Sequence, residues 1–230
     1  MRHRLRRAGL FLDAVGTWLL KHAARILVHY VYASNNPLET VTSSREDDKA
    51  AFSSRLVTLT KESDLDALPK EKIDYLARHS GRAPARIISN GGRIYALKGP
   101  DGILAQLNVN FGTFPVSTPV PLEFELAPDA FFISFLYTAP EHRDRGYARK
   151  LMNSTFSVLV DEGFARGLCH IRSTNMASRA SFRCAGWRCE AMILATRSGR
   201  LLATPGVRRV GLKVSPSIKP RGAGDAADAP

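Results

Sequence analysis

A basic, glycine-containing turn follows a strongly apolar segment in the second half of the chain. Residues 131–137 are Phe-Phe-Ile-Ser-Phe-Leu-Tyr, and residues 143–148 are Arg-Asp-Arg-Gly-Tyr-Ala at the start of a helix predicted over 144–163. A turn that opens a helix presents unpaired backbone N–H groups and the positive end of the helix dipole. Such groups bind pyrophosphate, so the turn predicts a site for a nucleotide-like ligand.

The side chains of the turn suit the same ligand. Gly146 and Ala148 are small enough for the backbone to approach a pyrophosphate closely, and Arg143, Arg145 and Arg149 supply positive charge. The alternative is a solvated basic helix start. Because positive charge at a helix N-terminus is unfavourable unless an anion neutralises it, the ligand-binding interpretation is preferred.

The elements around this turn predict an α+β fold. Two strands joined by Gly-Pro-Asp-Gly at residues 99–102 make the first half of the sheet antiparallel, and a helix between two later strands requires a parallel crossover. A long connection with several prolines is expected over 111–129, and residues 200–210 are expected to pair with the last strand. The later elements are predicted as strands 130–138, 168–173 and 187–196, and helices 144–163 and 176–185.

Four segments are expected along the chain. Leu5, Leu12, Leu19 and Ile26 fall seven residues apart beside several arginines, which predicts one face of a basic amphipathic helix. The polar stretch after it predicts a linker, and the Pro-, Gly- and Ala-rich C-terminus predicts disorder. The expected segments are the helix 1–32, the linker 33–54, the α+β domain 55–214 and the disordered tail 215–230.

The N-terminal segment has three open interpretations. It could lie on an anionic membrane surface as a peripheral helix, cover the core of its own domain or a partner subunit, or direct the chain to an organelle. Charged residues such as Asp13 and Lys21 interrupt the apolar stretch, so neither a transmembrane span nor a signal peptide is expected. A cytoplasmic location, with peripheral membrane association as one option, is the expectation, and a homodimer is left open.

Composition adds two constraints. The chain has 33 Lys and Arg against 21 Asp and Glu, a net charge of +12, which suggests an anionic partner or simply a basic surface. Nucleic acid is not the expected partner, because no zinc, helix-turn-helix or aromatic-platform motif is present. The three cysteines have no Cys-x-x-Cys spacing, so neither a disulfide framework nor a metal site is expected.

Two motifs together resemble the signatures of the GNAT superfamily of N-acetyltransferases. The first resembles that family's acetyl-CoA-binding turn, Arg/Gln-x-x-Gly-x-Gly/Ala, and the second resembles its Asn…small…aromatic…Gly-Phe pattern. Either motif alone is weak, but both occur in the right order with a strand and a helix between them. The matching residues are Arg143, Gly146 and Ala148 in the first motif, and Asn175, Ser178, Phe182, Gly186 and Trp187 in the second.

The resemblance implies a GNAT-like mixed sheet, flanked by helices, in which two parallel strands splay apart around the donor. Acetyl-CoA, or another acyl-CoA, would be that donor, with no metal. Asn175 is also well suited to cap the following helix, and both roles are compatible. The residues implied to bind the donor are Leu136, Thr138, Arg143, Asp144, Arg145, Gly146, Tyr147, Ala148, Asn175, Ser178 and Phe182.

The catalytic groups are less well specified. The family often places a Tyr acid four residues before the Gly of the second motif, where this chain has Phe182. Water, Ser181, Cys184 or Tyr137 could replace it. Glu123, Glu125, Asp129, Glu141 and His142 are the candidate bases, and Glu125 and Tyr137 are the residues selected as catalytic.

The predicted function is therefore transfer of an acetyl or similar acyl group from CoA to a primary amine. The acceptor would be a small molecule such as an amino sugar, a polysaccharide precursor or another metabolite. A non-catalytic acyl-CoA-binding module is the alternative, and the absence of the usual acid at Phe182 favours it.

Overall fold

The computed structural model describes residues 26–35, 55–100 and 102–217, and in this part of the chain no helix is long and apolar enough to cross a membrane. Short 3-10 turns at Pro140–His142 and Val207–Val210 supplement the regular elements. In chain order these elements are β1 (Ile26–Ser34), β2 (Leu56–Leu59), α1 (Glu62–Asp66), α2 (Lys70–Arg78), α3 (Pro84–Ser89), β3 (Arg93–Lys98), β4 (Ile103–Asn110), β5 (Thr113–Val116), β6 (Leu122–Leu126), β7 (Ala130–Thr138), α4 (Tyr147–Asp161), β8 (Arg166–Arg172), α5 (Met176–Cys184), β9 (Arg188–Thr196), β10 (Leu201–Ala203) and β11 (Leu212–Pro216).

The central sheet has eight strands in the order β10-β9-β1-β8-β7-β4-β3-β2. Every neighbouring pair is antiparallel except β7 and β8, which are parallel and connected through α4. The predicted mixed, mostly antiparallel sheet with one parallel crossover is confirmed.

Strand β1 differs from the prediction of a helix over residues 1–32. Residues 26–34 pair with β8 on one side and β9 on the other, and residues 1–25 lie outside the described part of the chain. Tyr30 and Tyr32 enter the core on one face of the sheet, and Val31 and Ala33 enter the core on the other. A strand buried on both faces has apolar residues at consecutive positions, so its sequence pattern does not distinguish it from a helix.

The same strand changes the predicted domain boundaries. Ala33 and Ser34 belong to β1 rather than to the predicted linker 33–54, whose residues from 36 onward lie outside the described part. The sheet therefore includes residues well before the predicted domain start at 55. At the other end, Ser215 and Pro216 belong to β11 rather than to the predicted tail, and residues from 218 onward are not described.

Helices α4 and α5 cover one face of the sheet. Side chains such as Leu151 and Phe156 from α4 and Phe182 from α5 share a core with Tyr32 and Trp187. On the opposite face, α1, α2 and α3 pack over β3. This arrangement leaves the rest of that face, from β7 to β9, to be covered by another layer.

A second sheet, in the order β11-β6-β5, supplies that layer. Two of its strands, β5 and β6, lie in the segment 111–129, for which a long connection was predicted. Leu122, Phe124 and Leu126 of β6 are buried while Glu123 and Glu125 are exposed, which is the alternation of a strand with one solvated face. The buried residues form a core with side chains from β1, β7, β8 and β9.

Gly167 allows the parallel strands to meet closely. It pairs with Phe131, and a Cβ at this position would lie 2.6 Å from the ring of Trp187, 2.8 Å from that of Phe131 and 2.9 Å from that of Phe156. A side chain here would displace packed aromatic rings. The glycine therefore fixes the point at which β7 and β8 lie side by side.

Candidate active site

A gap opens between the two parallel strands. Residues Ala130 to Phe132 of β7 pair with Arg166 to Leu168 of β8. Both strands continue for several residues beyond this point without pairing with each other. Beyond Phe132, β7 remains paired with β4 on its other side, with one register shift between Ile133 and Phe135. The splayed strand pair implied by the resemblance is present, with its closed end at Phe132 and Leu168.

The backbone of β7 presents hydrogen-bonding groups to the gap. The Ala139 N–H donates to the Leu104 carbonyl at 3.1 Å, so the backbone groups of Ala139 point toward β4. Because these groups alternate in direction along a strand, those of Tyr137 also point to β4, and those of Leu136 and Thr138 point into the gap. Arg143 donates from Nε to the Thr138 carbonyl at 3.2 Å.

The predicted turn lies at the open end of β7. Asp144 and Gly146 have φ angles of 60° and 76°, and α4 begins at Tyr147. Gly146 is the N-cap residue, and without a side chain it cannot cap the helix. No atom lies within 4 Å of the place where a Cβ on Gly146 would be. The first N–H groups of α4 therefore have no intrahelical partner, and the side of Gly146 on which a Cβ would lie is open.

The charges of the turn also favour an anion. Arg143, Arg145 and Arg149 are exposed, and the first turn of α4 contains no acidic residue. Arginines at this helix end are unfavourable without a negative charge to neutralise them. Backbone donors, a positive-φ glycine and arginines thus coincide beside the gap, which is an arrangement that fits the pyrophosphate of an acyl-CoA.

The residues of the second motif occupy the β8 side of the gap and the core. Asn175 caps α5, its Oδ1 accepting the Ser178 N–H at 3.1 Å. Phe182 is only 3% exposed, and its ring lies 5.1 Å from that of Trp187. Asn175 therefore has the capping role considered for it, Phe182 is a core residue, and donor contacts by either residue stay predictions.

Glu125 lies away from the gap. It is on the solvated face of β6, where its carboxylate forms an ion pair of 2.6 Å with Lys213 of β11. The neighbouring Phe124 points inward instead. Since consecutive side chains of a strand point to opposite faces, Glu125 is directed out of the second sheet, and the structure does not bring it to the gap.

Tyr137 lies beside the gap, on the face opposite α4. Its ring stacks on that of His79 with centroids 4.1 Å apart, and Tyr75 makes an edge contact with the same histidine ring at 4.7 Å. The end of α2 that carries His79 is held by Gln106 of β4, whose Nε2 donates to the His79 carbonyl at 2.8 Å. Burial, followed by the charge of Arg78, lowers the pKa of His79.

Sequence reasoning missed a histidine pair on the same face. His29 of β1 and His170 of β8 have ring centroids 5.1 Å apart, and His170 Nε2 lies 3.4 Å from Thr118 Oγ1. Burial, then the charges of His170 and Arg172, lowers the pKa of His29 from 6.5 to about 2. Burial, then Arg172, lowers the pKa of His170 to about 4.

The signal for this pair was weak. His170 stood within the predicted strand 168–173, but a strand pattern does not reveal which face borders a site. His29 fell in the predicted helix. The pairing of β1 with β8, which brings the two rings together, is a contact between distant parts of the chain.

The sheet with its splayed parallel pair places the chain in the class of mixed α+β domains. A sequence profile described as the acetyltransferase (GNAT) family matches residues 68–187, more than half of the chain. The protein belongs to this family.

The chain is similar to two solved structures of acetyltransferases. An acetyltransferase of the GNAT family from Novosphingobium aromaticivorans has 19% sequence identity and a TM-score of 0.50, over 75% of this chain and 64% of that one. A GNAT acetyltransferase from Colwellia psychrerythraea has 15% identity and a TM-score of 0.47, over 73% and 55%. The chain thus spans less than two thirds of the length of either protein. Among curated proteins, none matches the sequence.

Proposed function

We propose that the protein is an acyl-CoA-dependent N-acyltransferase that transfers an acetyl or similar acyl group to a primary amine. The observation that carries the proposal is the gap into which the backbone groups of Leu136 and Thr138 point, and which leads directly to the basic turn. A ligand that combines an amide-containing arm with a pyrophosphate matches both features. An acyl-CoA has this composition.

The donor would be held in two parts. The backbone groups of Leu136 and Thr138 would bind the arm as an added strand, because they point into the gap and β8 has diverged from β7. The N–H groups of Asp144 to Ala148, together with the arginines, would bind the pyrophosphate. The reacting end of the donor would then lie toward Phe132 and Leu168, where the gap closes.

The chemistry requires an uncharged amine, polarisation of the thioester carbonyl and departure of a thiolate. Phe182 has no proton to give and lies in the core. Free thiols titrate near about 8.5, so a thiolate is an acceptable leaving group without a dedicated acid. Tyr137 lies at the open end of β7, next to Thr138, and its ring stacks on that of His79, so the catalytic role selected for it stays a prediction.

The acceptor is proposed as a small-molecule amine, among which amino sugars and polysaccharide precursors are candidates. Contact of residues 1–25 with an anionic membrane, a cytoplasmic location and a homodimer also stay predictions, whereas residues 26–32 of the segment first considered for the membrane belong to β1. The non-catalytic acyl-CoA-binding module remains the second candidate, because the usual acid position is the buried Phe182.

Thiol release distinguishes the two candidates. Full-length protein with acetyl-CoA is assayed for free thiol alone and with each member of an amine panel that includes hydroxylamine, amino sugars and polyamines. The enzyme proposal predicts that, with at least one amine, the protein accelerates release above the protein-free rate for that amine, and that the amine is recovered as its N-acetyl derivative. Binding of acetyl-CoA without acceleration by any amine would favour the binding module.

A further inference from the structure

We infer that His170 is the group that takes the proton from the attacking amine, and that the acceptor therefore reacts as the free amine. This inference rests on the proposed function, because it needs the donor to lie in the gap. It assigns the base of the reaction to a residue that the two sequence motifs do not contain.

The position of His170 in β8 favours its role as the base. Leu168 is the last residue of β8 that pairs with β7, and His170 is the next residue along β8 whose side chain lies on the same face. The ring of His170 lies 5.7 Å from that of Phe132, the β7 residue paired with Leu168. His170 is thus at the closed end of the gap.

The donor would deliver its thioester to this same end. An arm that leaves the turn and follows β7 from Thr138 to Ile133 spans five residue-to-residue steps, or ~16 Å at about 3.3 Å per step. Glu125, by comparison, points out of the second sheet. The candidate bases are the side chains proposed from the sequence and the two histidines found in the structure. Among them, His170 follows the closed end of the gap along β8.

The orientation of the His170 ring determines which of its nitrogens can exchange a proton. The Nδ1 atom of His170 is buried and makes no hydrogen bond to any described residue. The Nε2 atom lies 3.4 Å from Thr118 Oγ1, and the side chain as a whole is only partly buried. Nε2 is therefore the nitrogen through which the ring can exchange a proton, directly or through the Thr118 hydroxyl.

The charges around His170 also favour its role as the base. The groups that face His170 are His29 from β1, Arg172 from its own strand, Thr118, and the apolar rings of Phe124 and Phe132. No carboxylate in the described ranges contributes to the pKa shift of either histidine. The ring is consequently neutral at pH 7, and in the tautomer with the proton on Nδ1 the lone pair of Nε2 is available.

The same surroundings select the form of the acceptor. A positive field from Arg172 with no compensating carboxylate disfavours a bound ammonium ion. A free ammonium would also transfer its proton to this imidazole only with difficulty, because the pKa of His170 is depressed. The amine therefore binds uncharged and becomes acidic only as its nitrogen bonds to carbon.

The step balances in atoms and charge. The amine lone pair forms the C–N bond to the thioester carbonyl carbon, and an N–H proton moves to Nε2 of His170. The C–S bond breaks, and the sulfur leaves with the electron pair. His170 then returns the proton to the thiolate, directly or through water, which gives the amide, the free thiol and the neutral histidine.

The first test replaces His170→Gln, with hydroxylamine as the acceptor and acetyl-CoA as the donor. Glutamine can donate a hydrogen bond but cannot accept the proton, so kcat is expected to fall about 100-fold or more while acetyl-CoA affinity is unchanged. A kcat within threefold of the unsubstituted protein would overturn the assignment. Thermal unfolding of the variant verifies that it is folded.

The second test uses the exposed Arg172, whose replacement leaves the ring in place. In Arg172→Gln the pKa of His170 is expected to rise, so the acid decline of kcat, measured with uncharged hydroxylamine saturating at every pH, should begin at a higher pH than in the unsubstituted protein. Arg200→Gln, which removes the same charge from the exposed turn between β9 and β10, is the control and should keep the original profile. An unchanged profile in Arg172→Gln would contradict the role of His170.

The two proposals fail in different ways. If the unsubstituted protein neither binds acetyl-CoA nor reacts with hydroxylamine, the proposed function is wrong. If it binds acetyl-CoA and forms acetohydroxamate, and His170→Gln does so equally well, only the inference about His170 is wrong.

Discussion

Replacing Arg143→Glu together with Gly146→Val is expected to abolish measurable binding of acetyl-CoA. The glutamate places a negative charge where the pyrophosphate is proposed to lie, and it removes a donor whose charge-assisted hydrogen bonds are worth about 1.5–3 kcal/mol each. Valine at position 146 must adopt the φ of 76° found for the glycine, which strains a β-branched residue. A loss of at least about 100-fold in affinity follows, at about 1.4 kcal/mol per tenfold.

A matched double variant controls for charge and strain. Gly163 has a φ of 97° and empty surroundings like those of Gly146, but it lies at the opposite end of α4. Arg200→Glu with Gly163→Val therefore makes the same two chemical changes away from the turn. Isothermal titration calorimetry should show normal affinity for this control, and equal affinity in the two double variants would refute the assignment of the turn.

Deletion of residues 1–34 is expected to prevent folding of the domain. It removes β1 from the middle of the central sheet and leaves both β8 and β9 without a partner on that side. Val28, Tyr30, Val31 and Tyr32 are all buried, and burial of one such side chain contributes about 1.5–3 kcal/mol. Their combined loss is comparable to the roughly 5–15 kcal/mol by which domains are usually stable.

The comparison is a deletion of residues 1–24, which ends before β1. Circular dichroism and thermal unfolding of both shortened proteins measure the outcome. The shorter deletion should keep a cooperative transition, and the longer one should show none. A longer-deletion protein that unfolds cooperatively at the temperature of the full chain would mean that β1 is dispensable.

The features that depend on neighbouring residues were predictable. An apolar strand, a basic turn and a helix follow one another in consecutive residues, so their order can be predicted from the sequence. In the structure, β7, the turn and α4 lie within a few residues of the predicted bounds. The parallel crossover follows from the same segment, because a helix between two adjacent parallel strands imposes it.

The features that depend on distant contacts were not predictable in the same way. The insertion of β1 between β8 and β9 joins residues 26–34 to residues more than a hundred positions later. The second sheet was taken for a connection because its strands are short and prolines such as Pro115 interrupt them.

The candidate catalytic residues illustrate the same difference. Glu125 was selected because its segment precedes β7 in the sequence, but the face of β6 on which it lies depends on how the second sheet packs. His170 could be placed in a strand but not at the closed end of a gap. The donor-binding turn is a local feature of the sequence, whereas the reacting groups are assembled by the fold.

A crystal structure of the full-length protein with acetyl-CoA tests the central claim most directly. We expect the arm of the donor between β7 and β8, hydrogen-bonded to the backbone of Leu136 and Thr138, with the pyrophosphate on the N–H groups of residues 144–148 and the thioester near His170. A donor bound elsewhere, with the gap closed by direct pairing of β7 and β8 beyond Phe132, would contradict it.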